Sequence, residues 1–543
     1  MKKNSSTTLL SIAFTLALGA CVLPLHAQNA APKNAGLYAN RFDRALAGVF
    51  DTREKDWRNG AIVYQVLVDR FAPSANLALK SALYPAPKKL HAWDVLPKSG
   101  TYLEDVKVWS HEIDFWGGDL NSLSGKLDYI KSLGVNVLYL NPIHLGYTNH
   151  KYDGLDFMKV SPEFGTRDDV KALAHQTHTK GMKIMLDGSF NHMGRNSEIY
   201  KQAQASTTSR YRNWFYFGSQ FPGGSRSWAK AQNLPELNLE NEEVRDYVFA
   251  KPDSVVQSYL ADGIDGWRLD VAYDLGFDFL GQLTKAAHRF KPGSAVIGEI
   301  ANYPKEWFPS VDGVMNFTYR EIIMKTASGQ LGAPAAAQML NRTIEEAGIE
   351  SALKSWVLLD NHDNPRINTA LPSESERKLA QLLQFTLPGS PNLYYGSELG
   401  MVGGEEPESR GPMRWDLVSA DNASLRWIKQ LIALQKNHRA LRIGNFRLVT
   451  ANNLLAFERY TDRVEDTVIV VANPGKADIT ETVMIANSKL MNGALLLDAF
   501  GGATKKPEIR GALTTLTVPA GSFLVLKPDV GTDEGYTAFK RVQ

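Results

Sequence analysis

Eight short apolar runs, each closing on a polar residue or glycine and each followed by a stretch of helix length, constrain this 543-residue chain more than any other feature. They are Ala61–Val68 closing on Asp69, Val135–Leu140 on Asn141, Met182–Leu186 on Asp187, and Ile264–Leu269 on Asp270. The series continues with Ala295–Gly298 closing on Glu299, Gly313–Met315 on Asn316, Trp356–Leu359 on Asp360, and Asn392–Tyr395 on Gly396. Runs of this length without strict apolar–polar alternation suit strands buried on both faces. Between them, Leu123–Leu133, Asp168–Lys180 and Glu242–Leu260 carry helical spacing. Eight strand–helix units predict an α/β fold, a (β/α)8 TIM barrel. An open doubly wound sheet is the alternative, but no Gly-x-Gly-x-x-Gly follows the first run to mark a dinucleotide site.

The grammar is interrupted twice. Some fifty residues separate Asp187 from the helix near Glu242, too many for an ordinary βα loop, so 193–241 is expected to be a small irregular subdomain on the barrel rim, inserted after strand 3. From Arg442 onward the helices stop. Leu454–Tyr460, Thr467–Ala472, Thr480–Ile485, Leu513–Val518 and Phe523–Leu526 read as an antiparallel β-sandwich over 442–528. The barrel then covers 61–441, preceded by an extension over 28–60 and followed by a polar tail over 529–543.

At the N-terminus, Lys2 and Lys3 precede an apolar run from Leu9 to Leu23 and then Pro24-Leu25-His26-Ala27, the order of a secretory signal over 1–27. Export to the periplasm or the medium is the expectation. Leu18-Gly19-Ala20-Cys21 also has the look of a lipobox, so a lipid anchor at Cys21 is a second outcome; the run is shorter than the ~20 residues of a membrane span. Cys21 is the only cysteine, which excludes disulfides within the chain and a cysteine metal site. Basic residues number 60 against 58 acidic, and cleavage after Ala27 leaves 58 against 58. Such a balance gives no reason to expect nucleic acid as partner.

In a parallel barrel the C-terminal strand ends form the working face, which singles out Asp270, Glu299 and Asp363. Arg268 lies two residues before Asp270, on the same strand face, and is expected to keep that carboxylate ionised. Glu299 has no basic neighbour in sequence, which predicts a raised pKa and an acid role. Two carboxyls in opposite protonation states across a cleft are what glycosidic cleavage requires. His192 and His362 occupy equivalent strand ends.

Taken together, these segments resemble the α-amylase superfamily (glycoside hydrolase family 13) from about Ala61 to Leu526. Asp187-Gly188-Ser189-Phe190-Asn191-His192 resembles its first signature, Gly266–Asp270 the second, Glu299 sits in the third, and Asp360–Asp363 with Arg366 match the fourth. Leu234-Pro235-Glu236-Leu237-Asn238 is similar to the signature closing the rim subdomain, and Pro388–Pro391 with Tyr395–Glu398 to the last strand and its loop. The resemblance implies a retaining mechanism with Asp270 as nucleophile, Glu299 as acid and base, and Asp363 bracing the distorted sugar. It also implies that His192, His362, Arg268 and Arg366 bind the sugar at the cleaved bond, that Tyr152 stacks beneath it, and that Asp153 takes a hydroxyl. The implied substrate is an α-1,4-glucan such as starch, maltodextrin or cyclodextrin. A transglycosylase would use the same triad, and a non-catalytic glucan-binding protein would use the same barrel. The rim signature and Val311–Asn316 lean towards neopullulanases and cyclomaltodextrinases, whose N-terminal β-sandwich does not fit between Gln28 and the first strand.

The resemblance also raises calcium. Many relatives carry Lys-His shortly after the nucleophile, where this chain has Tyr273 and Asp274, although Asn191 matches another ligand. A second calcium loop looks depleted at Phe71-Ala72-Pro73-Ser74, with Gly118-Asp119 left from its other half. Calcium takes six to eight oxygen ligands, and that set is not assembled, so no cofactor or metal is expected to be required. Trp214, Tyr216, Phe217, Trp228 and Trp307 are candidates for outer sugar contacts, each weighed against plain core packing. His175 and His178 read as a solvated helix face, and Lys88-Lys89 as a short surface charge run.

Overall fold

A computed structural model describes residues 41–501 and 506–542, with the side chains of 41–45 excluded. The expected leader over 1–27, including Cys21, lies outside the described residues. Eight parallel strands close into a barrel: β1 (Val63–Val66), β2 (Val137–Leu140), β3 (Lys183–Gly188), β4 (Gly266–Leu269), β5 (Ala295–Ile300), β6 (Gly313–Asn316), β7 (Trp356–Leu358) and β8 (Ser390–Tyr394). Each strand pairs with its neighbours in sequence order, and β8 returns to β1. The absence of alternation has a direct cause. One face of the strands fills the barrel with Val63, Val137, Tyr139, Met185, Ile297, Met315, Trp356 and Leu358. The other face packs against the surrounding helices through a second, larger core that includes Tyr64, Leu138, Ile184, Trp267 and Val314.

Two local expectations need correction. Asp69 does not end the first strand; it sits in a helical turn, Val68–Phe71, and its carboxylate accepts from the amides of Trp116 and Gly117. The helix expected over Glu242–Leu260 breaks into Glu242–Arg245, a wide turn at Asp246–Ala250, and Val255–Ala261. Pro252 lies in the gap, and a proline cannot donate the helical hydrogen bond.

Behind the barrel are β9 (Asn445–Leu448), β10 (Leu455–Tyr460), β11 (Val468–Asn473), β12 (Ile479–Met484), β13 (Leu496–Asp498), β14 (Leu513–Val518) and β15 (Ser522–Pro528). They form a five-stranded antiparallel sheet, β9-β10-β11-β15-β13, facing the pair β12-β14 over a separate core. The short strands β9 and β13 were not anticipated from the sequence. Within the polar C-terminal segment, Phe539 is buried in that core. On the rim, 193–241 carries the helix Glu198–Ala205 and isolated bridges such as Phe215 with Leu237, and is joined to His192 through Glu236. Lys88 is more than a surface charge, since its ammonium reaches the buried Glu163 at 2.8 Å. His178 is likewise paired, with Asp265 at 2.6 Å.

Candidate active site

Arg268 is fully buried and carries the site. Its Nη1 donates to Asp187 at 2.8 and 2.9 Å and to Asp270 at 2.9 Å, while Nη2 lies 3.0 Å from Glu299 Oε1. Strand register explains the meeting. Arg268 and Asp187 are direct partners across β4 and β3, Asp270 follows Arg268 by two residues, and Glu299 stands on the adjoining β5. The expectation that Glu299 lacks a basic neighbour is therefore corrected: adjacent in space, though not in sequence, is the same guanidinium. Arg268 alone does not keep Asp270 at an ordinary carboxylate pKa either. Burial pushes Asp270 well above that range and outweighs Arg268, with the like charges of Glu299, Asp187 and Asp363 adding to the rise. One cation facing three buried carboxylates favours retention of a proton by the group.

The turn after Asp270 is strained. Val271 adopts φ 38°, ψ 45°, left-handed geometry that a β-branched residue rarely takes. The conformation aims the Val271 amide at Glu299 Oε2, 2.9 Å away.

A second half of the site is aromatic. The rings of Tyr152 and His362 are nearly parallel, 5.2 Å apart. The Tyr152 hydroxyl donates to Asp187 Oδ2 at 2.8 Å and accepts from Asn141 Nδ2 at 2.8 Å. Gln65 and Asn141 amides both face His362 Nδ1, at 3.0 and 3.3 Å, so Nδ1 accepts and the ring proton belongs on Nε2. That nitrogen points at Asp363 Oδ2, 3.2 Å away. Burial holds His362 well below the ordinary histidine pKa, consistent with a neutral ring. Asp363 remains 42% exposed, held on its other oxygen by Arg410 Nη2 at 3.1 Å. Arg410 also donates to the His362 carbonyl and pairs with Glu406.

The structure thus gathers Asp270, Glu299, Arg268, Tyr152, His362 and Asp363 into one connected network. His192 lies beside Trp228, ring centroids 5.7 Å apart, with neither ring nitrogen partnered among the described residues; burial lowers its pKa to about 4. Asp153 and Arg366 stand apart. Both Asp153 oxygens are occupied by the Tyr147 and Thr148 amides and the Thr148 hydroxyl. Arg366 donates to the Tyr395 carbonyl and lies over the rings of Tyr394 and Tyr395. Of the aromatic candidates, Trp214 and Trp307 are buried, Phe217 stacks on Tyr200, and Tyr216 lies under Arg226. Trp228 alone of the five stacks on a histidine of the candidate site. Tyr139, Gln65 and Arg410 escaped sequence reasoning, because nothing local marks a polar residue whose partner comes from another strand or loop; Asn141 was marked only as the residue closing the second run. Asp187 had a signal, being a strand-end acid in the first signature.

The Gly117 carbonyl and the Asp119 carboxylate are already engaged by the Lys80 ammonium, at 3.4 and 3.0 Å. No cluster of three or more His, Cys, Asp or Glu among the described residues could hold a metal.

The α-amylase catalytic-domain profile matches residues 65–444, more than half of the chain. Neopullulanase 2 of Thermoactinomyces vulgaris is 32% identical over 446 residues, spanning 79% of this chain and 71% of that protein. A cyclomaltodextrinase of Geobacillus thermopakistaniensis is 32% identical over 439 residues, 78% of this chain and 70% of its own. Among solved structures, the cyclic α-maltosyl-(1→6)-maltose hydrolase of Arthrobacter globiformis superposes with a TM-score of 0.72 at 27% identity, covering 87% of this chain and all of that one.

Proposed function

The chain belongs to the α-amylase family of glycosidases, and from that premise we propose that it hydrolyses α-1,4-linked glucans with retention of anomeric configuration, Asp270 forming the covalent intermediate. Asp270 attacks the anomeric carbon as Glu299 passes a proton to the departing glycosidic oxygen. Glu299, now a carboxylate, takes a proton from water, and the resulting hydroxide attacks the same carbon and frees Asp270. Asp363, half open to the cleft, accepts sugar hydroxyls, and the Tyr152–His362 pair offers an apolar wall to the ring face.

The observation that carries this reading is the single guanidinium that hydrogen-bonds Asp270 through one nitrogen and forms an ion pair with Glu299 through the other. It tethers the two carboxyls near one another, which favours the close pair of a retaining enzyme over the wide pair that accommodates a water. Its third partner, Asp187, brings a further buried carboxylate against the same guanidinium. Starch, maltodextrins and cyclodextrins are the substrates of choice, in line with the names of the relatives.

The test compares native protein with Asp270→Asn and Glu299→Gln on starch, pullulan, cyclodextrin and sucrose, with the product anomer followed by NMR. Both variants should fold, bind and lose turnover by at least about a thousandfold, and the native product should first appear as the α-anomer. A folded variant with native activity, or a β-anomer, refutes the assignment.

A further inference from the structure

Between β1 and β2 the chain runs out into a long rim segment whose outermost part is a small hairpin, Tyr102–Leu103 paired with Val108–Trp109. Its aromatic residues face outward. Trp109 is 48% exposed, the Tyr102 ring meets it edge-on at 5.6 Å, and the His111 ring stacks beside it at 6.1 Å. An indole left this open on a two-strand hairpin contributes little to any core, so folding alone does not account for it.

The hairpin is fastened to the candidate site. The Glu112 carboxylate accepts from the Trp109 amide at 2.5 Å and reaches His150 Nε2 at 3.2 Å. The His150 ring lies 5.7 Å from that of Tyr152. Asn149 donates to the carbonyls of His111 and Asp114, and its own amide donates to Glu112. The base of the hairpin and the loop bearing Tyr152 are thus one hydrogen-bonded unit. The charges of Glu406 and Arg410, paired with each other, also act on His111, and Arg410 holds Asp363.

Position in the barrel gives direction. In the proposed reaction the leaving oxygen takes its proton from Glu299 on β5, so the departing chain exits on that side. The hairpin springs from β1, four strands from β5 either way around the ring and therefore opposite. A sugar seated against Tyr152, His362 and Asp363 with its leaving oxygen at Glu299 would extend its non-reducing end towards the β1 loop.

We infer that the Tyr102–Trp109 hairpin is a donor-side sugar platform, on which Trp109 stacks against a glucose unit lying beyond the cleaved residue towards the non-reducing end. The inference rests on the glucan-hydrolase reading above. A flat indole flanked by His111 suits a pyranose, whose face is apolar and whose edge carries hydroxyls.

The experiment uses the full chain and 4-nitrophenyl α-glycosides of one to four α-1,4-linked glucoses, with nitrophenol release as readout. The leaving group stays constant, and every added glucose extends only the donor side. In Trp109→Ala, the ratio of kcat/KM for the longest to the shortest substrate should fall about tenfold relative to native, about 1.4 kcal/mol. Trp109→Tyr should restore most of that ratio, which a merely structural role would not predict. A uniform fall at every length, or no change in the ratio, overturns the platform. A native protein inert on the whole series and on starch overturns the hydrolase reading instead, and the platform with it.

Discussion

Replacing Arg268 by methionine is the sharpest physical test of the site, because it removes the one cation facing three carboxylates while keeping bulk. The Asp187 side chain is fully buried, and those of Asp270 and Glu299 are 12% and 13% exposed. Removing one partner of a buried ion pair costs about 3–5 kcal/mol. The loss is limited because the abandoned carboxyls can protonate. Burial already lifts Asp187 and Asp270 above the ordinary carboxylate value, and loss of Arg268 lifts them further. The folded variant then holds more protons than its unfolded chain from the ordinary carboxylate pKa of about 4 up to the raised folded values. Its stability therefore falls as pH rises through that window, by about 1.4 kcal/mol per unit for each proton retained. One extra retained proton makes the penalty about 2.7 kcal/mol larger at pH 7 than at pH 5. For a barrel of this size the unfolding entropy converts about 4 kcal/mol into a Tm drop of about 5 °C at pH 7, shrinking to about 2 °C at pH 5. Calorimetry of native, Arg268→Met and Arg268→Lys at both pH values measures this. Lysine should give an intermediate loss, since one ammonium cannot reach three partners. Equal Tm losses at pH 5 and 7, or a loss below about 1 °C at pH 7, would refute the shared-cation account.

Two further outcomes follow from the same side chains. The pKa of His192, about 4 in the fold and about 6.5 in the unfolded chain, makes the unfolded state the better proton binder between those values. Native stability should fall with acidification from pH 6.5 to 4, and His192→Asn should flatten that slope in a Tm series; an unchanged slope speaks against a buried neutral imidazole. Chelation with EDTA should leave Tm within about 1 °C of native, because Lys80 already engages Gly117 and Asp119. A drop of several degrees reversed by calcium would show that the ammonium does not suffice.

Much of the fold was legible in the chain. Barrel strands are buried on both faces, so each appears as an unbroken apolar run, and the residue closing such a run falls at the working end of the barrel. That rule singled out Asp270 and Glu299, while Asp363 and both histidines follow such closing residues by two to five positions. The C-terminal sandwich was visible for a related reason, since five of its seven strands are long enough to show β-type composition. The strands β9 and β13 went unread, although Ala494–Leu497 is itself an apolar run.

What sequence alone determined was the inventory: eight strands, their order, and, the first strand apart, which acids stand at their ends, because burial dictates composition locally. What only the tertiary structure decided was partnership. Arg268 was read as the neighbour of Asp270, yet closure of the barrel also puts it against Asp187 and Glu299. Asp363 finds Arg410 across forty-seven residues. Tyr152 finds a hairpin built from the β1 loop. Such contacts depend on strand register and loop path, which are set by long-range packing and leave no mark on the residues beside them.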